Sequence, residues 1–123
     1  RLVCLELLCC GFWTAACGIA FSKESIDFNR DIRPILSNRC FACHGPDEEK
    51  IESGLRLDQV ATATQPADSG EVALVPGDPE ASQLLQRVTS KDDSIRMPPP
   101  HFAAALGDSE VDLLRRWIAE GGK

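Results

Sequence analysis

The run Cys40-Phe41-Ala42-Cys43-His44 constrains this chain more than any other feature. Two thiols three positions apart, at the end of a helical segment, can each add to one vinyl group of the same porphyrin. The adjacent histidine then comes under the iron as proximal ligand. The spacing predicts one haem c per chain, attached covalently through Cys40 and Cys43 and ligated by His44. Three other readings fit the same five residues. They are a pair of buried cysteines with an incidental histidine, a thioredoxin-like pair, and a zinc site from Cys40, Cys43, His44 and His101. A thioredoxin-like pair needs a strand before it and a βαβ setting, and the sequence has neither. Zinc sites of mixed ligands usually keep their histidines together as a separate pair, and here they are far apart.

The chain has 6 cysteines, but Cys4, Cys9, Cys10 and Cys17 lie in an apolar N-terminal run, where they act as small hydrophobes. The remaining two define one local site, not a disulfide framework. Residues 2–21 are almost wholly apolar behind Arg1 and end in Gly18 and Ala20, which reads as a secretory signal cleaved after Ala20. Glu6 interrupts the run, and an uncleaved N-terminal membrane anchor is the alternative. Cys17 as a lipid-attachment cysteine fits poorly with the residues before it. The expected organisation is therefore 1–20 signal peptide or anchor, 21–27 linker, and 28–123 one domain. Export to the periplasm is expected, with membrane contact only through the N-terminal segment. Covalent haem attachment belongs to that compartment.

A length of 123 residues suits one domain. The net charge of −6, from 13 basic and 19 acidic residues, argues against nucleic acid and anionic lipid as partners. It suits a redox partner with a basic patch.

Three main helices are expected. Phe28, Ile32, Ile35 and Leu36 recur at helical spacing, with Asp31 as candidate N-cap and Pro34 in the first turn. A longer, kinked helix from Asn29 is the variant. Asp78 followed by Pro79 opens a second helix with Leu84, Leu85 and Val88 on one face. Asp108 opens the third, with Val111, Leu114 and Ile118 in a stripe and Gly121 closing it. Long loops join them. Such loops count against a small domain unless something other than side chains fills its centre. A flat, mostly apolar haem does so. The predicted class is all-α, with long loops wrapped around one haem.

Met97 is the only methionine, and it sits before Pro98, Pro99 and Pro100 in a stretch that cannot be helical. It is the expected sixth ligand of the iron, since a thioether favours the reduced metal. His101 is the alternative ligand. Arg56 and Arg96 are candidates to pair with haem propionates. Trp117 is expected to pack the last helix against the first or against the haem.

The segments FNRDIRPILSNRCFACHGPDE, SGLRLD, LVPGDPEASQLLQRV, RMPPP and LLRRWIAEGG, in that order across residues 26–122, resemble the planctomycete-type cytochrome c domain. The resemblance implies a mostly helical cytochrome c fold with first and last helices crossing. It also implies haem attachment at Cys40 and Cys43, a proximal ligand at His44 and a distal one at Met97. Such domains usually open larger exported proteins, so a sequence that runs from Arg1 to Lys123 leads us to expect a fragment whose downstream domain is not included.

The expected function is one-electron transfer, with iron cycling between ferrous and ferric, and no enzyme activity of its own. The electron partner would be another protein or a downstream domain of the same polypeptide. A haem sensor or peroxidase-like site with a displaceable sixth ligand is the alternative, and a Cys/His zinc module the third.

Overall fold

The computed structural model describes residues 24–123, so the signal or anchor expected at 1–20, and residues 21–23 of the linker expected at 21–27, lie outside the described residues. Among the described residues there is no strand. A single antiparallel bridge joins Pro66 to Val72, and the class is all-α. No described helix is long and apolar enough to cross a membrane.

Among the described residues five α-helices carry the fold: α1 (Arg33–Arg39), α2 (Phe41–His44), α3 (Val60–Ala63), α4 (Gln83–Thr89) and α5 (Asp108–Ala119). A π-helical turn, Phe28–Ile32, leads into α1, and a 3-10 turn, Glu48–Lys50, follows α2. The first helix therefore begins earlier than Asp31, close to the longer variant. Asp27 is the cap, accepting from the Arg30 N–H at 2.7 Å, while Asp31 turns back to accept from the Asp27 N–H at 2.9 Å. Pro34 is the second residue of α1, directly after the π-turn.

The second helix starts later than its sequence predicts. Asp78 does accept from the Ala81 N–H at 3.1 Å, but Pro79 to Ala81 form only a turn, and Ser82 is the residue before α4. Ser82 is fully buried because its hydroxyl finds partners inside: it accepts from the Val75 N–H at 2.9 Å and donates to the Asp78 carbonyl at 2.8 Å. That pair fixes the loop before α4, since a buried hydroxyl without partners would be costly.

The third helix begins at Asp108 as expected. Gly107 precedes it, and the Glu110 carboxylate reaches back to the Gly107 N–H at 2.9 Å. Gly121 follows the helix at φ +107, the backbone region a C-terminal glycine supplies.

The buried core joins Ile32, Ile35 and Leu36 to Leu84, Leu85 and Val88 and to Leu114, Trp117 and Ile118. Ala63 of α3, with Leu57, Ala73, Leu74 and Leu106 from the loops, closes it. Helix α5 packs on α4 and on the π-turn that opens α1. It lies antiparallel to α1: Glu110 near its start pairs with Arg39 at 3.4 Å, and Trp117 near its end meets Phe28 at 5.7 Å between ring centroids. Trp117 thus ties the last helix to the first, and its indole N–H donates to the Lys123 carbonyl at 2.8 Å.

Candidate haem site

The thiols and the histidine sit where α1 ends. At Cys40 the backbone leaves helical geometry (φ −127, ψ −37), although its N–H still donates to the Leu36 carbonyl at 2.8 Å. The chain then closes a new turn, with the His44 N–H donating to the Cys40 carbonyl at 2.8 Å. This break turns Cys40, Cys43 and His44 toward one cavity. Gly45 lets the chain leave the turn. A Cβ there would lie 2.4 Å from the Phe41 carbonyl oxygen, so only glycine fits so close an approach.

The following segment clamps this turn through backbone groups. The Glu52 N–H donates to the Cys43 carbonyl at 2.9 Å and the Leu57 N–H to the His44 carbonyl at 2.8 Å. The His44 ring completes the clamp, with Nδ1 3.3 Å from the Leu55 carbonyl. A carbonyl can only accept, so Nδ1 carries the proton and Nε2 keeps a free lone pair. Burial first of all disfavours the imidazolium, which lowers the His44 pKa despite the carbonyls of Leu55 and Glu52. A neutral imidazole with one nitrogen fixed and the other free is what a metal ligand requires.

Neither thiol is in a disulfide. Burial pushes the Cys40 thiol up to about 12, with Arg39 opposing and Glu110 reinforcing the shift. At neutral pH it stays protonated, which is ill suited to thiolate redox chemistry. Among the described residues, no three His, Cys, Asp or Glu groups stand together in a way that could hold a metal ion.

The cavity measures about 420 Å³, within the roughly 300–1,000 Å³ common for cofactor sites. Cys40, Cys43 and His44 form one side. Leu55, Leu57, Ala73, Leu84 and Val88 supply apolar wall, and Met97, Pro98, Pro99, His101 and Phe102 come from the proline-rich loop. All four expected haem residues meet here, and so does His101. Met97 is half-buried, and its N–H donates to the Arg87 carbonyl at 3.1 Å. His101 is exposed, on a turn closed by the N–H groups of Phe102 and Ala103 to the Pro99 carbonyl.

The charged residues differ from expectation. Arg56 is not on the cavity wall: Asp58 holds it through Nη2 at 2.6 Å and Nε at 3.1 Å. Arg96 is also off the wall, with Nε 3.4 Å from Asp93 and a buried Nη1 that has no partner. The arginines that do line the cavity are Arg39 and Arg87. Sequence reasoning misses both, although Arg39 directly precedes the first motif cysteine and Arg87 shares α4 with the predicted apolar face.

A haem fits this set. The walls are mainly apolar, two thiols flank a histidine with a free Nε2, a thioether enters from the loop, and two arginines offer cations for carboxylates.

No curated protein and no solved structure matches the chain. A model of the family described as Planctomycete cytochrome C matches residues 40–101, half of the chain. That match opens on the first motif cysteine, runs through the clamp at Glu52 to Leu57, and ends on His101 beyond the proline loop. With the cavity built from the same stretch, the chain belongs to the planctomycete cytochrome c family.

Proposed function

We propose that this domain is a mono-haem c-type cytochrome of the cytochrome c fold that carries single electrons. Thioethers from Cys40 and Cys43 attach the porphyrin, and His44 and Met97 hold the iron. Family membership already implies haem binding and electron transfer. The observation that carries the finer reading is the convergence of both thiols, His44 and Met97 on one cavity. When bound, the haem supplies a one-electron iron couple, whose potential a thioether ligand raises.

The chain's own part is to hold and exclude. The Leu55 carbonyl keeps the His44 ring in one tautomer and one orientation. Leu57, Ala73, Leu84 and Val88 keep water from the cavity, which limits reorganisation when charge changes. Pro98 and Pro99 stiffen the segment that carries Met97. No bond of a substrate is made or broken, so the domain is proposed as a carrier and not an enzyme. Its electrons would pass to another redox protein or to a further domain of the same polypeptide. The net charge of −6 suits a partner with a basic face. Residues 1–20 would direct it to the periplasm, as a cleaved signal or as an anchor.

One observation favours a second reading with a displaceable sixth ligand: exposed His101 lines the same wall as half-buried Met97. The two readings separate by spectrum. The ferric wild type should show a weak near-infrared thioether band that Met97→Ala abolishes and His101→Ala leaves intact, and the ferrous form should not bind carbon monoxide rapidly. Rapid carbon monoxide binding by the wild type, or a spectrum changed by His101→Ala alone, would overturn Met97 ligation.

A further inference from the structure

Arg87 meets the Met97 segment in three ways. Its carbonyl accepts the Met97 N–H at 3.1 Å. Its Nη1 donates to the Ile95 carbonyl at 3.3 Å. Its side chain forms part of the cavity wall beside Met97. The first contact belongs to the backbone and survives any substitution. The second belongs to the guanidinium, and it fixes the chain two residues ahead of the thioether.

The two arginines on the wall differ in charge balance. Arg39 is paired with Glu110 at 3.4 Å. Arg87 makes no salt bridge among the described residues, although Glu52 and Glu71 line the same cavity. A cation in a partly desolvated site disfavours an added positive charge there, and oxidation of an iron centre adds one.

Resting on the reading of the cavity as a haem site ligated by His44 and Met97, we infer that Arg87 is the positioning residue for Met97 and the fixed positive charge that raises the potential of the site. The guanidinium holds the loop through Ile95, so the thioether stays over the cavity without help from the exposed side of the loop. The same group favours the reduced state. Lysine keeps the charge but not the planar fork, and glutamine keeps a donor but not the charge.

The test compares the haem-loaded wild type with R87Q and R87K by spectroelectrochemical titration and by the ferric near-infrared band. At the wild-type midpoint, R87Q should shift the ferrous-to-ferric ratio about tenfold toward ferric, equal to 59 mV for one electron. Its thioether band should also weaken. R87K should keep the ratio within about threefold of wild type, because the charge remains. R87Q with the wild-type potential and band overturns the inference, even if it melts earlier or loads less haem. An equal shift in R87K and R87Q also overturns it. If R87Q does not load haem, R87M, which keeps the aliphatic stem and lacks charge and donors, carries the same expectation and the same refutation. A wild type without a Met97-dependent band would sink the ligand assignment itself, and the inference with it. A wild type with that band and an unchanged R87Q sinks the inference alone.

Discussion

Gly45→Ala is the most direct perturbation of how the fold presents its histidine. The added Cβ would stand 2.4 Å from the Phe41 carbonyl oxygen, 2.6 Å from the Phe41 Cβ and 2.8 Å from the Phe41 Cα. Two of those atoms are backbone, so no side-chain rotation relieves the clash. The turn that carries Cys43 and His44 must open by the better part of an ångström. Forcing a methyl group into so close a site costs about 1–3 kcal/mol, and the backbone contact puts this case toward the upper end. Alanine also narrows the unfolded ensemble, which offsets about 0.4–1 kcal/mol. The net loss is about 2 kcal/mol, or roughly 8–16 °C in melting temperature for a domain near 100 residues. Circular dichroism melts of both proteins measure it, alongside the absorption spectra of the haem-loaded forms. A Gly45→Ala protein that melts within about 2 °C of wild type with an unchanged spectrum would refute the close-approach argument.

Three further outcomes follow from the same geometry. Gly107→Ser has the opposite sign: there is room for a Cβ, with its nearest neighbour at 3.8 Å, and a hydroxyl completes the cap that Glu110 half makes, for a gain of a few tenths of a kcal/mol in chemical unfolding. Leu114→Ala empties a fully buried position between α5 and the core, and should cost about 2–5 kcal/mol by the same assay. In the haem-free protein, Cys40 should resist iodoacetamide at pH 8 until the fold opens, because its thiol lies at about 12 against an ordinary 9.0. A raised acid favours folding below the unfolded value, so that contribution should decline as pH rises from about 9 to about 12, and Cys40→Ala should remove that part of the alkaline loss. Fast labelling of half-buried Cys40 in the folded state would contradict the raised thiol pKa.

The parts of the site written in one local pattern are legible in the sequence alone. Cys40, Cys43 and His44 announce themselves by spacing, and Met97 by being a lone thioether beside prolines. That all four face one cavity depends on chain paths no motif contains, namely the break at Cys40 and the tie from Met97 to Arg87. Helix α5 is readable because Asp108, its apolar stripe and Gly121 agree. The sequence places helix α4 too early because Pro76-Gly77-Asp78-Pro79 resembles a helix start, while the reason for the later start is tertiary: Ser82 is drawn inside to serve Val75 and Asp78. It places the first helix too late because Asp31 has the look of a cap, whereas the cap is Asp27, which accepts from the Arg30 N–H at the head of the π-turn. Arg56 misleads as a propionate partner, although Asp58, two residues on, lies within easy reach of its fork. Arg87 escapes notice because a helical arginine ordinarily faces water, and nothing local says that its helix end borders a cavity.

The central claim is a haem bound covalently through Cys40 and Cys43. Its most direct test is denaturing electrophoresis of the protein made in a host that matures c-type cytochromes, stained for haem peroxidase activity, with Cys40→Ala/Cys43→Ala beside it. The account predicts a haem-stained band at the protein's own mass in the wild type and none in the double variant. Haem that runs free of the wild-type chain, or a wild-type chain with no haem at all, would contradict it.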